Sequence, residues 1–398
     1  MKKTLIAFAA LSAIAGMAQA QSTVTLYGLL DANVGSSKTN TFNAATTAFP
    51  NGSYSNQSQT IVGSGGLNTS RFGFRITEDL GGGLAAIGNL ESGLSLDTGA
   101  SSSATSLFNR QANVGLASAS LGTVTLGRNK SPYYDVHGSV GLRETVFDTT
   151  SNTNFGSVVN YNPANAATSA YLLSNHGSTA GSTPNAATWL GFNARVNNSV
   201  RYTSPSFSGF SVSGLYGFGE DKSATTDATK TMGASAQYAN GPIVVYLAYQ
   251  SDAYARTASL KPALENTLVG ASYDFGIAKV GANYNRAKLK DITASTFLSA
   301  TGGGIGAQKE YGLSVSVPFG AMVVEANYGQ SKGDTLGKST GGGIQALYSL
   351  SKRTTLYTGY SSTKAYDRLA QLVVNSQPGS GSTIERSTFF AAGVRHTF

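Results

Sequence analysis

The sequence predicts an all-β fold, a sixteen-stranded antiparallel transmembrane β-barrel. Three observations lead to this prediction. Apolar and polar side chains alternate with a period of two from residue 21 to the last residue, short and long connections alternate between the strands, and the chain ends on an apolar strand face. Charged residues make up only 12% of the chain, well below the quarter that is usual in globular domains.

The first twenty residues have the features of an export signal. Lys2 and Lys3 precede an apolar run from Leu5 to about Met17, and the small-residue sequence AQA follows at residues 18–20. This order predicts a signal peptide over residues 1–20 and a barrel domain over residues 21–398. The apolar run is shorter than the ~20 residues that a spanning helix needs, and no later segment is long and apolar enough. Any membrane span must therefore be a strand.

Period-two alternation defines the strands. In the first segment Val24 and Leu26 alternate with Thr25 and Tyr27, so that one face is apolar and the other is polar. The polar faces carry small or charged groups, which is typical of lipid outside and water inside. The segments are 23–34, 70–78, 83–94, 108–118, 122–128, 196–204, 209–219, 230–239, 243–250, 267–275, 278–289, 309–318, 321–331, 341–351, 354–363 and 387–398. Segment 108–118 alternates poorly, and its faces stay unassigned.

The connections fall into two length classes. Seven are short and rich in Gly, Pro and Asn, as tight turns require, and eight are long. The short ones lie at 79–82, 118–122, 204–208, 240–242, 276–277, 318–320 and 351–353, and the long ones include 35–69, 251–266, 290–308 and 364–386. Short turns on one rim and long loops on the other are characteristic of transmembrane barrels, whereas a propeller or sandwich would lack this asymmetry.

The last strand carries an apolar face to its end. One face holds Phe390, Ala392, Val394, His396 and Phe398, and the other holds Arg395 and Thr397. An exposed strand edge with such a face invites aggregation in a soluble sandwich. In a closed barrel the last strand pairs with the first and its apolar face meets lipid.

Composition excludes several function classes. The chain has no Cys, so disulfides and thiolate metal sites are impossible, and its three His residues are too scattered for a metal site. Removal of Lys2 and Lys3 takes two from the formal charge of +8, leaving +6. The Lys and Arg residues form no basic run, which argues against nucleic-acid binding. We expect no cofactor and no metal.

Several blocks of sequence, in their order and spacing, resemble the Gram-negative general porins of the β-proteobacterial branch. They are TLYG at 25–28, SRFGFR at 70–75, EDLG at 78–81, RQANVGL at 110–116, LGTVTLGR at 121–128, NSVRY at 198–202 and SP at 204–205. The resemblance implies a homotrimer of sixteen-stranded barrels in the cell outer membrane. It also implies passive diffusion of small hydrophilic solutes and ions through a water-filled channel, with outer-membrane lipid and lipopolysaccharide as partners.

The longest connection is the candidate constriction. A barrel of this size leaves an aqueous channel, and the resemblance implies that the third loop, here about 129–195, folds inward to narrow it. Its acidic candidates are Asp135, Glu144 and Asp148. The stretch from about 150 to 190 is longer than the resemblance leads us to expect, and its position stays open.

The resemblance places a cluster of Arg on the wall opposite that loop. Carried over residue by residue, the cluster consists of Arg71, Arg110 and Arg195, and Arg75 lies on the same face as Arg71. The wall Lys that some members carry on the first strand falls at Leu29. Arg stays ionised at any accessible pH, and cations facing carboxylates create a transverse field. We expect a preference for anions. The alternative is that these Arg residues only pair with loop carboxylates for stability.

Other functions have weaker support in the sequence. A solute-specific porin needs aromatic residues along the path, for which Tyr133, Tyr134 and Trp189 are candidates. A surface adhesin is the structural alternative, and a barrel-embedded enzyme is the catalytic one.

Two motifs bear on the enzyme alternative. The G-x-S-x-G match at residues 329–333 has Asp334, Asp367 and His396 downstream in hydrolase order, but a nucleophile elbow needs a helix directly after it. The sequence after it predicts a loop. The GKS sequence at residues 337–339 lacks the spacing of a phosphate-binding loop. We therefore expect no catalysis.

Overall fold

The computed structural model describes residues 22–43, 52–103, 105–138, 189–253, 261, 263–290, 306–368 and 382–398. The predicted signal peptide lies outside these residues. The described chain forms one antiparallel sheet and one short helix. The elements are β1 (Thr23–Asn43), β2 (Ser53–Ser64), β3 (Arg71–Gly81), β4 (Leu84–Ser95), β5 (Ala100–Ser101), β6 (Gln111–Ser118), β7 (Gly122–Lys130), α1 (Pro132–His137), β8 (Arg195–Thr203), β9 (Phe210–Phe218), β10 (Lys230–Asn240), β11 (Ile243–Ala253), β12 (Ala263–Asp274), β13 (Lys279–Lys290), β14 (Gln308–Phe319), β15 (Met322–Gly333), β16 (Gly337–Ser349), β17 (Thr354–Lys364) and β18 (Ser382–Thr397).

The sheet closes on itself through its two ends. β1 pairs with β18 from Leu29 opposite Thr397 onward, and Gly28 N donates to Phe398 O at 3.0 Å. The first part of β1, Thr23–Leu29, pairs with β3, and its later part, Ala32–Asn43, pairs with β2. β2 and the two-residue β5 stand outside the ring, so sixteen of the described strands form the barrel. This confirms the predicted strand number.

Alternation sets the two faces as predicted. Val24 and Leu26 are 66% and 57% exposed on the outside, whereas Asp31 and Asn33 of the same strand are buried on the inside. Phe390, Val394 and Phe398 of the last strand are exposed on the outer face, as predicted. In segment 108–118, which alternates poorly, Val114 and Leu116 point outward. The large apolar side chains therefore surround the barrel rather than filling it.

All seven predicted short turns join neighbouring strands on one rim. The turn between β3 and β4 shows why Gly is needed there, since Gly81, Gly82 and Gly83 all have positive φ. The third-loop segment holds α1. No helix among the described residues combines the length and the hydropathy that a membrane crossing needs.

Parts of the predicted long loops belong to strands. β1 continues to Asn43 and pairs with β2 inside the predicted loop 35–69. β12 begins at Ala263 rather than at 267, β16 at Gly337 rather than at 341, and β18 at Ser382 rather than at 387. All these corrections concern the long-loop rim. There water contacts both faces of the sheet, so a strand needs only backbone pairing and shows no apolar alternation.

Candidate functional site

The first limb of the third loop begins with a capped helical turn. The Oγ of Ser131 accepts a hydrogen bond from Tyr134 N at 3.2 Å, and Pro132 occupies the first turn, where its missing N–H costs nothing. Ser131 N donates to Ala194 O at 3.0 Å, which ties the start of the loop to its end. α1 packs against β9, β10 and β11 on the inner side of the barrel.

An apolar cluster fixes both limbs of the loop to this wall. Tyr133 and Phe192 pack with ring centroids 4.5 Å apart. The cluster contains Tyr133, Tyr134, Val136, Trp189, Phe192 and Ala194 from the loop, and Tyr246, Ala248 and Leu268 from β11 and β12. Burial raises the pKa of the Tyr133 phenol well above its usual value, so this side chain stays neutral. The two described limbs of the third loop, residues 131–138 and 189–194, therefore lie inside the barrel, as predicted.

Buried polar groups of the wall hold the returning limb. Glu310 of β14 accepts from Leu190 N at 2.7 Å and from Asn285 Nδ2 at 2.6 Å. The Nδ2 of Asn266 donates to Gly191 O at 3.1 Å. These bonds satisfy backbone groups of the limb that would otherwise lack partners inside the barrel.

A second carboxylate holds the limb nearer its end. Asp252 of β11 accepts from Asn193 N at 3.1 Å and from Thr231 Oγ1 at 2.9 Å. Gln250 donates to Asn193 O at 2.8 Å. We call Gln250, Asp252, Asn266, Asn285 and Glu310 the anchoring wall.

The segment that joins β2 to β3 is also held inward, by Asp31 of β1. Its carboxylate accepts from the backbone N–H groups of Gly66, Leu67 and Asn68 at 3.1, 2.9 and 2.7 Å. The Tyr357 hydroxyl donates to the same carboxylate. This anchor was not predicted from the sequence, although Asp31 falls on the polar face of the first alternating segment.

Arg side chains gather on another part of the wall, around Glu91 of β4. Arg110 Nε lies 2.7 Å from Glu91 Oε1, and Arg71 Nε lies 3.6 Å from Glu91 Oε2. The Tyr27 hydroxyl donates to Glu91 at 3.0 Å, and the Arg75 guanidinium lies 4.2 Å from the centroid of the Tyr27 ring. Three of the predicted wall residues therefore share one cluster.

A further Arg joins this cluster through a β-bulge. The register of β7 against β8 shifts between Gly127 and Asn129, and Gly127 has φ +122°, which favours glycine. Arg128 Nε donates to Asn109 O at 2.7 Å, and Arg128 Nη1 donates to Asn197 Oδ1 at 2.5 Å. Strict alternation would place Arg128 on the face of Leu126, which is exposed outside. This is why alternation missed it.

The clustered residues carry an excess of positive charge. We call Arg71, Arg75, Arg110 and Arg128, with Glu91, the basic patch. Four guanidinium groups and one carboxylate give it a formal charge of +3. Leu29, where a wall Lys would fall, is buried. The patch therefore makes this part of the wall strongly positive.

The other predicted site residues lie beside this patch or on the third loop. Arg195 lies opposite Lys130 in the pairing of β7 with β8 and is close enough to Arg128 for their like charges to interact. Its guanidinium lies 5.2 Å from the centroid of the Tyr134 ring. Asp135 forms an ion pair with Arg201, which also donates to Lys130 O at 3.1 Å. Glu144, Asp148 and most of the stretch 150–190 lie outside the described residues.

One residue of the inner wall was missed by the sequence predictions, and the residues of the hydrolase-like match have other roles. Arg201 was not predicted, although its position between the outward-facing Val200 and Tyr202 places it on the inner face of β8. Ser331 of the G-x-S-x-G match donates to Glu310 and accepts from Tyr366 at 3.0 Å. His396 contacts Thr354 at the opposite rim, and a strand rather than a loop or helix begins at Gly337. The hydrolase residues are therefore not assembled.

Comparisons with known proteins agree with this geometry. The model of the Gram-negative porin family matches residues 7–367. An outer membrane porin protein 32 of Delftia acidovorans is 31% identical, and an outer membrane porin of Bordetella pertussis is 30% identical, each over 100% of both chains. An anion-selective porin from Comamonas acidovorans superposes with a TM-score of 0.68 at 26% identity, covering 95% of this chain and 100% of that one. The trimer form of OmpT from Vibrio cholerae, 15% identical with a TM-score of 0.55, shares the fold.

Proposed function

The chain belongs to the Gram-negative porin family, and we propose that its channel in the outer membrane passes small hydrophilic anions in preference to cations. The formal charge of +3 on the basic patch carries this proposal. Asp135, the described member of the acidic candidates, is paired with Arg201 and adds little opposing charge. A relative whose name describes it as anion-selective supports the same direction.

The basic patch acts on ions through its field. Its Arg residues line a water column bounded by a low-dielectric wall, which focuses the field and raises the local concentration of anions. Glu91 holds Arg110 and Tyr27 in place and neutralises one of the four cations. Solutes pass by diffusion, and no bond is made or broken.

The third loop supplies the other side of the constriction. We assign Arg195 and Asp135 to its base, where they contact Tyr134 and Arg201. Glu144 and Asp148 are assigned to its inner edge by the resemblance alone. The functional unit is a homotrimer in outer-membrane lipid, in line with the fold shared with a trimeric porin.

Conductance in a planar bilayer tests the proposal. A KCl gradient across the native channel is expected to give a reversal potential of the sign that marks anion preference. R71A/R110A lowers the patch charge from +3 to +1 and should reduce the anion-to-cation permeability ratio about fourfold or more. R353A/K352A, at the exposed short-turn rim, is the matched control. A cation-preferring native channel would contradict the proposal.

The solute-specific alternative is not favoured. Tyr133, Tyr134 and Trp189, the aromatic candidates, are 0%, 1% and 2% exposed in the apolar cluster. Side chains buried in this way cannot stack on a passing solute. The general channel therefore remains the proposal.

A further inference from the structure

A short segment between β2 and β3 folds around one side chain on the inner surface of the barrel. Gly65 N donates to the backbone O of Asp31 at 2.9 Å, and Ser70 Oγ donates to the same oxygen at 3.0 Å. Between these two residues, the backbone N–H groups of residues 66–68 donate to the Asp31 carboxylate. We call residues 65–70 the inner segment.

An apolar contact holds the inner segment against β17 and β18. Leu67 is 4% exposed and packs with Tyr357 of β17 and with Phe389 and Ala391 of β18. These partners are buried and alternate with outward-facing neighbours, so they belong to the inner face of the barrel. The inner segment therefore lies inside the ring of strands and takes space from the water column.

A guanidinium group is hydrogen-bonded to the inner segment on each side. Arg71 Nη1, from the basic patch, donates to Thr69 O at 3.1 Å. Arg395 Nη1, from β18, donates to Asn68 Oδ1 at 2.8 Å, and its Nη2 donates to Thr355 Oγ1 at 3.1 Å. The inner segment thus connects the basic patch with an Arg from the last strand of the chain.

Arg395 lies at nearly the same height in the barrel as the basic patch. β1 separates β18 from β3, and Asp31 of β1 lies opposite Arg395. Two residues earlier on β1, Leu29 lies opposite Arg71. Two strand spacings, about 10 Å, and two residues, about 7 Å, therefore separate the backbones of the two Arg residues. An ion that passes the basic patch also passes Arg395.

The positive charge of Arg395 is available to the channel. Among the residues that the structure describes, Arg395 takes part in no ion pair, and its side chain is half-buried. The acid opposite it, Asp31, is 0% exposed, and its carboxylate accepts from three backbone N–H groups and the Tyr357 hydroxyl. A carboxylate enclosed in this way directs little of its field into the water.

We propose that the inner segment and Arg395 form a second side of the constriction, and that Arg395 is a fifth cation that determines selectivity. The proposal deepens the proposed anion preference and rests on it, because Arg395 favours the same ions as the basic patch. Asp31 holds the backbone of the segment in place, and Asn68 presents its half-buried side chain beside Arg395.

Reversal potentials in a KCl gradient, measured on the full-length porin in a planar bilayer, test the role of Arg395. R395Q removes one unit charge near the ion path and should lower the anion-to-cation permeability ratio about twofold. R395K keeps the charge and should keep the native ratio. R353Q, the matched control, removes an exposed Arg from the short-turn rim and should also leave the ratio near the native value.

Thiol labelling tests the position of the inner segment, because the chain has no Cys. N68C is treated in the bilayer with an anionic or a cationic methanethiosulfonate reagent. Both adducts should lower the single-channel conductance, because both occupy space in the channel. The anionic adduct should also lower the permeability ratio about twofold, and the cationic adduct should raise it. N240C, the same exchange at an exposed position next to a short turn, should react without either effect.

Two pairs of results would overturn the proposal. An unchanged permeability ratio in R395Q, or an equal loss in R395K, would show that the charge of Arg395 does not act on ions. An unreactive N68C, or adducts of N68C that leave the conductance unchanged, would place the inner segment outside the water column. Native conductance of the untreated variants shows that they fold.

These failures differ from a failure of the proposed function. A native channel that prefers cations contradicts the proposed anion preference. R395Q should move the ratio toward cations whichever ion the native channel prefers, so its result tests Arg395 in either case.

Discussion

The basic patch and the anchoring wall lie on the same inner surface of the barrel and use charge in opposite ways. Glu310 and Asp252 of the anchoring wall are 0% and 5% exposed, and backbone N–H groups of the third loop occupy their oxygens. In the basic patch, Arg71 and Arg110 bind one carboxylate, that of Glu91, and Arg75 and Arg128 add two further cations, so that positive charge is in excess. The Arg110 and Glu91 side chains are 8% and 6% exposed, whereas the Arg71 side chain keeps 25% of its surface exposed.

The two regions therefore have different roles on one surface: the anchoring wall holds the described limbs of the third loop, and the basic patch acts on ions in the channel. A buried carboxylate whose oxygens accept backbone hydrogen bonds fixes a segment and contributes little field to the water. An excess of cations that no carboxylate neutralises acts on every passing ion. Removing a charge should therefore affect stability in one region and selectivity in the other.

The largest effect is expected from E310A in the anchoring wall. The exchange leaves Leu190 N buried without its acceptor and removes one of the two acceptors of Asn285 Nδ2, which keeps Asn266 Oδ1. Unsatisfied buried donors cost about 1–3 kcal/mol each, so the returning limb should lose about 3 kcal/mol of local stability. Hydrogen exchange at the Leu190 amide should accelerate by about two orders of magnitude, and single-channel current should become noisier.

A matched acid makes this test specific. Glu265 lies on the outer face and binds Lys290, whose side chain is 46% exposed. E265A should change Leu190 exchange by less than twofold, because exposed ion pairs contribute little. Equal exchange in E310A and the native protein would mean that the apolar cluster alone holds the limb.

Asp135 and Arg201 lie between the two regions and should show an intermediate effect. Their side chains are 35% and 17% exposed, so solvent screens the pair and its coupling should be about 1 kcal/mol or less. A double-mutant cycle of R201A and D135A, by unfolding in detergent, measures this coupling. R201A should also lower anion preference slightly, because it removes a cation that offsets the Asp135 charge, whereas R201A/D135A, which keeps the net charge, should restore it. A coupling above 2 kcal/mol would place the pair with the anchoring wall.

The ring of strands was predictable because one physical rule acts at every position. Lipid outside and water inside force alternation, and residues such as Val24 and Leu26 obey it wherever the strand lies in the membrane. Outside the membrane, water contacts both faces of the sheet and alternation is not required. This is why β2 and the start of β16 were predicted as loops. Their pairing depends on backbone hydrogen bonds, which leave no pattern in a Ser- and Thr-rich sequence.

The sites were predictable only in part. Arg71 and Arg75 fall on the polar face of their strand, so alternation could place them together. Arg110 came from the resemblance alone, since the faces of segment 108–118 stayed unassigned. Arg128 joins the patch only because of the bulge at Gly127, and a bulge cannot be predicted from the alternation of apolar and polar residues. The roles of Asp252 and Glu310 depend on where the returning limb of a long loop comes to rest, and that contact joins residues more than fifty positions apart.

The smallest effects are expected when one Glu residue in each region is exchanged for Gln, Glu91 in the basic patch and Glu310 in the anchoring wall. E91Q raises the formal charge of the basic patch from +3 to +4 while keeping an oxygen for Arg110 or Tyr27. One unit charge about 10 Å from the ion path is worth about 0.4 kcal/mol in water, a factor of about two in the anion-to-cation permeability ratio. Reversal potentials in a KCl gradient measure this ratio, and the Leu190 amide should exchange at the native rate.

E310Q provides the opposite pattern and completes the comparison. It should accelerate Leu190 exchange, less than E310A does, because the amide keeps one acceptor oxygen. It should leave the permeability ratio within about 1.5-fold of the native value, since the Glu310 carboxylate is enclosed by Leu190, Asn285 and Ser331. If E310Q altered selectivity as much as E91Q, the anchoring wall would contribute to the field in the channel. The division of the inner surface into a holding region and a transporting region would then be wrong.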